Sequence, residues 1–203
     1  MILSLLKLDL GSPSVRQSFQ NCQDFHRNIM KAFETDRSAA KVLYRVMRSD
    51  YSVQVYVQSQ AEPQWERIEG NGFHCEKAMD ISRLRKSFHY DLILRFTLLA
   101  CPTKKTPVEG KNSRRVLIRG EEEQLEWLRR QGEKYGFAVL EAHITGPGER
   151  LSGKKDNGIF YIAGILFEGV LQITNTEKFQ VGFENGIGAE KAYGFGMLMV
   201  SRL

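Results

Sequence analysis

Gly186-Ile187-Gly188-Ala189-Glu190-Lys191-Ala192-Tyr193-Gly194-Phe195-Gly196 is the segment that most restricts what this chain can be. Glycine permits positive φ and lets a backbone come close to another surface, whether a phosphate or a neighbouring helix. A dinucleotide- or ATP-binding loop follows a strand and opens into a helix whose N-terminus meets the phosphates. Here the order is reversed, because a predicted helix precedes the glycines and a predicted strand, Met197–Leu203, follows them. That argues against the Rossmann and P-loop readings. Two readings survive: a loop laid against a phosphate backbone, and a tight helix-to-strand connection with no ligand.

The rest of the chain alternates between two hydrophobic periods. Leu6, Leu8 and Leu10 alternate with Lys7 and Asp9, as in a strand. A helix is predicted from about Asn21 to Glu34, with Cys22, Ile29 and Phe33 on one face and Asp24, Asn28 and Lys31 opposite. Lys41–Arg48 and Tyr51–Ser59 form a hairpin turning at Ser49-Asp50. A short helix at Gln64–Ile68 and a strand from about Tyr90 to Cys101 complete β-α-β-β-α-β, the order of a ferredoxin-like unit. Residues 103–113, with clustered Pro, Gly and polar positions, read as a linker. A second unit runs through a strand at Arg114–Ile118, a helix at Glu121–Tyr135 and strands at Ala138–Ile144 and Ile159–Ile173. A last helix, capped by Asn175, runs to about Glu184. The predicted fold class is α+β: tandem ferredoxin-like (RRM-like) domains over 1–102 and 114–203.

Charge narrows the partner. Lys and Arg number 29 against 24 Asp and Glu, a formal net charge of +5, which favours nucleic acid ahead of an acidic membrane surface. Around the linker lie Lys104, Lys105, Lys111, Arg114, Arg115 and Arg119 against only Glu109. Arg150, Lys154 and Lys155 form a second patch. Either patch fits phosphate contacts or plain solubility. Cys22, Cys75 and Cys101 are scattered and form no CxxC pair, against a disulfide framework or structural zinc and in keeping with a reducing cytosol. Lys7 and Asp9 make the apolar start a strand and not a signal peptide, and no run approaches the ~18 apolar residues of a membrane helix. A cytoplasmic protein with no metal and no cofactor is expected.

Four histidines are the candidates for chemistry: His26, His74, His89 and His143. RNA cleaves itself when a 2′-OH is deprotonated to attack the adjacent phosphate and the departing 5′-oxygen is protonated. Imidazole suits either transfer because its unperturbed pKa is about 6.5. His26 falls roughly 40° from the middle of the apolar helix face, so periodicity alone favours a core histidine, while its place at the margin also permits one facing a cleft. His74, His89 and His143 have no partners at metal-ligand spacing and are assigned no chemistry. A metal nuclease built on Asp24 and Glu34 would put its carboxylates away from His26.

Phe167-Glu168-Gly169-Val170-Leu171, the closing helix and the GIG…GFG segment with its strand resemble the end of the CasE family of CRISPR RNA-processing nucleases, within the RAMP superfamily. Further agreement lies at Leu3–Leu8, His26-Arg27, Arg95 to Lys104 with Cys101-Pro102, and Glu123 to Leu128. The resemblance implies a metal-independent endoribonuclease that binds the hairpin of CRISPR repeat RNA and cuts at the 3′ base of the stem. It further implies that the protein leaves a 2′,3′-cyclic phosphate, keeps the mature crRNA and joins other Cascade subunits. It makes His26 catalytic and matches Lys31 to a basic residue that neutralises phosphate charge. Family members often carry a tyrosine three residues before that histidine; here the position is Gln23. On charge alone, Lys104, Lys105, Arg114 and Arg115 could clamp an RNA stem; the resemblance places Arg150, Lys154 and Lys155 on the stem, and Gly186, Gly188, Lys191, Gly194 and Gly196 along its backbone. A non-catalytic RNA-binding RAMP subunit is the alternative, and His26 discriminates between the two.

Overall fold

The computed structural model describes residues 1–108, 111–155 and 158–203, leaving the side chains of 108, 111–114 and 155 undescribed. The first part runs β1 (Ile2–Leu8), α1 (Pro13–Gln20), α2 (Cys22–Met30), α3 (Arg37–Ala40), β2 (Leu43–Arg48), β3 (Val53–Ser59), α4 (Glu66–Glu69), β4 (Phe73–Asp80) and α5 (Ser82–Lys86). The second runs β5 (Ile93–Ala100), β6 (Thr103–Val108), β7 (Lys111–Leu117), α6 (Glu121–Tyr135), β8 (Phe137–Lys155) and β9 (Gly158–Ile173). It closes with α7 (Thr176–Asn185), a 3-10 turn at Lys191–Tyr193 and β10 (Leu198–Ser201).

Two four-stranded sheets result, in the orders β2-β3-β1-β4 and β10-β5-β9-β8. Numbered within each unit, both are the 2-3-1-4 arrangement of a ferredoxin-like fold, so the α+β tandem architecture holds. Its strand assignments differ from the sequence reading in two places. The fourth strand of the first sheet is β4, paired antiparallel with β1, and not the strand expected at Tyr90–Cys101. That later run is β5, which opens the second sheet between β10 and β9. Arg114–Ile118, expected to open the second unit, lies largely in β7, which pairs with β6 as a separate hairpin. The expected linker at 103–113 is therefore mostly paired strand. The compact units are Met1–Ser87 with Arg150–Ile162 and Lys191–Gly194, and Phe88–Glu149 with Ala163–Glu190 and Phe195–Leu203. The first break falls after Ser87, where 102 was expected.

Local chemistry explains the elements that carry the site. Pro13 sits in the first turn of α1, where its missing N–H costs nothing. Asn21 then breaks the helix in extended backbone and caps α2, its Oδ1 accepting from Gln23 N at 3.2 Å. Phe25 and Ile29 of α2 are buried in a core with Leu6, Val55, Val57 and Phe73. Phe25 alone meets Phe19, Tyr44 and Phe73 at centroid distances of 5.4, 5.6 and 5.8 Å. In the second unit Phe88 packs edge-on against Phe179 and Phe183, and Trp127 stacks on Phe167. Among the described residues, no helix is long and apolar enough to cross a membrane.

Candidate active site

The seat of Phe25 sets the rotation of α2, and with it the direction of every neighbour. His26, next in the chain, emerges half-buried at the margin of the core face. Asn28, expected on the polar face, is buried because α1 lies there; its Nδ2 donates to Ser18 Oγ at 2.7 Å. Lys31 Nζ in turn donates to Asn28 Oδ1 at 2.8 Å. Five residues separate Lys31 from His26, about 140° around the helix, so the ammonium belongs to the α1 side and not to the imidazole.

What meets His26 comes from the glycine segment. The Tyr193 ring stands edge-on to the imidazole, with centroids 6.2 Å apart and planes at 71°. Its hydroxyl donates to Gln23 Oε1 at 2.7 Å. Phe160 of β9 packs on Tyr193 at 5.6 Å, and Tyr44 of β2 donates its hydroxyl to Ala192 O at 2.8 Å. Burial, with Cys22 and Tyr193 adding to it, pushes the Tyr44 phenol well above the usual tyrosine range against a smaller opposite pull from Arg37. Tyr44 therefore stays protonated and keeps its hold on the turn. Gly194, at φ +88, passes the Tyr44 ring where an added Cβ would lie 3.0 Å from Cε2. At Gly196, φ +83, a Cβ would lie 2.6 Å from Ile187 O. Positive φ also holds at Gly186 and Gly188, so chain geometry by itself demands glycine at all four positions.

The β8–β9 hairpin reaches the same helix. Lys154 N donates to Asn21 Oδ1 at 3.1 Å, the oxygen that caps α2. The exposed Lys154 is thereby tied to the N-terminus of the His26 helix, and exposed Arg150 lies in the same unit. The Lys155 and Arg114 side chains lie outside the described residues. On the β6–β7 hairpin, exposed Lys105 and Arg115 are cross-strand partners, while Lys104 pairs with Glu123 at 2.8 Å and holds that carboxyl below the usual range. Asp24 is engaged by Arg27 and Asn21, and Glu34 by Arg67 and Gln64. Among the described residues, no three His, Cys, Asp or Glu are grouped to hold a metal ion.

A family model described as CRISPR associated protein matches residues 1–202. The chain belongs to the CasE family of CRISPR associated proteins. It is 28% identical to the CRISPR-associated endoribonuclease Cse3 of Thermus thermophilus, over 99% of this chain and 100% of that protein. A solved structure of the endoribonuclease Cse3 bound to a 19-nucleotide RNA superposes with TM-score 0.84 at 27% identity, covering 99% and 100% of the two chains. Thermus thermophilus Cse3 with an RNA representing a pre-cleavage complex gives 0.83 at 26%, with the same coverage. Cas6e of Escherichia coli K-12, at 22% identity, TM-score 0.77 and full coverage of both chains, shares the fold.

Set beside the CasE resemblance, the structure brings His26, Lys154 and the turn holding Lys191 and Gly194 into one unit, and leaves Lys31 turned away from the imidazole. The residue that sequence reasoning missed is Tyr193. Its only early signal was an aromatic side chain inside a glycine-rich stretch.

Asn21 joins two structural jobs in one side chain. Asn21→Ala should cost about 0.5–2 kcal/mol in chemical denaturation. Amide exchange at Lys154 should quicken with it, and an unaffected hairpin would show that the Asn21 contact is incidental.

Proposed function

We propose that this chain is a metal-independent endoribonuclease that cuts CRISPR repeat RNA at the 3′ base of its stem, with His26 as the proton-transfer group. The carrying observation is a half-buried imidazole at the edge of the core, backed by Tyr193 and tied through α2 to the basic β8–β9 hairpin. The imidazole takes the 2′-OH proton as that oxygen attacks the neighbouring phosphorus. The P–O5′ bond breaks, and the imidazolium returns the proton to the leaving 5′-oxygen, leaving a 2′,3′-cyclic phosphate. No proton is consumed overall, so one imidazole can serve both transfers; a positioned acid–base group contributes typically ~10²–10⁴-fold.

The cations hold the RNA around that step. Lys154 and Arg150 meet stem phosphates from the hairpin, with Lys155 beside them. The A-form major groove is too deep and narrow for side chains to read, so shape and phosphate contacts dominate there. Lys105 and Arg115 face each other across β6 and β7, a like-charge pair that destabilises the bare hairpin and is relieved by an anion. Lys104 contributes less because Glu123 already engages it, and Arg114 adds to the same strand. Lys31, turned from the imidazole, serves as a phosphate contact. Half-buried Lys191 offers its charge to the RNA strand and Gly188 its half-buried backbone, whereas Gly186, Gly194 and Gly196 are buried and shape the segment instead of meeting RNA. The mature crRNA stays bound and carries the protein into a Cascade-type assembly in the cytoplasm.

Wild-type protein should cut repeat RNA in EDTA, whereas His26→Ala should abolish cleavage and leave repeat affinity within about threefold. Full cleavage by His26→Ala refutes the assignment, and no cleavage by wild type under any condition points to a binding subunit instead. Replacing Lys105 and Arg115 by Ala should lower the log–log salt slope of repeat binding by about 0.7–0.9 for each phosphate no longer neutralised. Lys104→Ala should lower it less; equal effects at all three positions would mean the Glu123 pair does not matter.

A further inference from the structure

One phenol touches two neighbours on the same side of α2. Gln23 and His26 are three residues apart, adjacent on the helix surface. Tyr193 donates its hydroxyl to the first at 2.7 Å and sets its ring edge against the second. The turn that carries it is held from three sides: Tyr44 holds Ala192 O, Phe160 packs on the ring, and Gly194 passes closely by the Tyr44 ring at positive φ. Tyr193 itself is only 8% exposed. Phenylalanine would fill the same volume without requiring a polar partner. A buried hydroxyl directed at α2 beside a half-buried imidazole does more than pack.

We propose that Tyr193 is a positioning residue for RNA cleavage, holding the His26 imidazole in one orientation toward the scissile ribose, with Gln23 as the latch that fixes the phenol. This rests on the endoribonuclease reading with His26 as the proton-transfer group. The phenol carries no proton itself, since its hydrogen is committed to Gln23 Oε1. Its effect is to exclude alternative rotamers of the imidazole, and displacing a reacting group by about 1 Å can cost 10²-fold in rate.

The test compares Tyr193→Phe, Tyr193→Leu, Gln23→Leu and the double variant Tyr193→Phe/Gln23→Leu, with wild type and His26→Ala as references. Saturating single-turnover cleavage of repeat RNA is measured beside repeat affinity, thermal midpoint and the ¹³C relaxation of the His26 ring. Tyr193→Leu should slow cleavage about 10- to 100-fold with affinity nearly unchanged, and the His26 ring should become more mobile. Tyr193→Phe keeps the edge contact but loses the bond to Gln23, so its rate should fall between wild type and Tyr193→Leu, with a His26 ring more mobile than in wild type. Gln23→Leu should match Tyr193→Phe, and the double variant should be no slower than either, because all remove one bond. Wild-type rate in Tyr193→Leu, or a loss that follows weakened RNA binding or a lowered midpoint, overturns the proposal. If wild type cuts nothing, the parent reading fails, and the positioning role falls with it. An unchanged His26 ring in Tyr193→Leu overturns the positioning role alone, even where wild type cuts and His26→Ala does not.

Discussion

The rotation of α2 about its own axis is the constraint from which the rest of the site follows. Phe25 is 4% exposed and Ile29 fully buried, and together they leave the helix one way to lie on the first sheet. Truncating a buried phenylalanine typically costs about 3–5 kcal/mol, so this setting is not readily lost. The Ser18–Asn28 bond fixes the opposite side of the helix against α1. With both sides held, His26 can emerge only at the margin, where the turn at Lys191–Tyr193 packs. A histidine one position earlier or later would enter the core or face solvent.

The glycine segment reconciles its two readings. Positive φ at four of its glycines and close approaches at Gly194 and Gly196 make it a tight connection that needs glycine for its own path. The same path delivers Tyr193 to Gln23 and His26, so a structural requirement and a chemical one are met by one stretch of chain. Phosphate binding is compatible with that path but is not what dictates it. A similar economy appears at Asn21, whose one carboxamide oxygen caps α2 and anchors the basic hairpin.

Periodicity made most helices and the buried strands legible; edge elements and distant contacts were not. β4 has Phe73 as its only buried residue, so no alternation marks it as a strand in the sequence. Without β4, the sequence pattern of β5 satisfies the β-α-β-β-α-β order equally well, although β5 pairs with β9 and β10 in the second sheet. α1 buries only Val15 and Ser18, too little for a helical stripe. The β6–β7 hairpin is held by backbone pairing between strands of linker-like composition. His26 was legible as a candidate but not as a site, since Asn28 changes from surface to core only once α1 is in place. Tyr193 lies 170 positions from Gln23, beyond any local pattern.

The central claim is that an imidazole makes the RNA cut itself through its own ribose. The most direct measurement uses a repeat RNA carrying a single 2′-deoxy nucleotide at the scissile position, compared with all-ribo RNA in EDTA. The account predicts that the deoxy RNA binds normally and stays intact, while the all-ribo product ends in a 2′,3′-cyclic phosphate. Cutting of the deoxy RNA, or products ending in a 3′-hydroxyl, would contradict it.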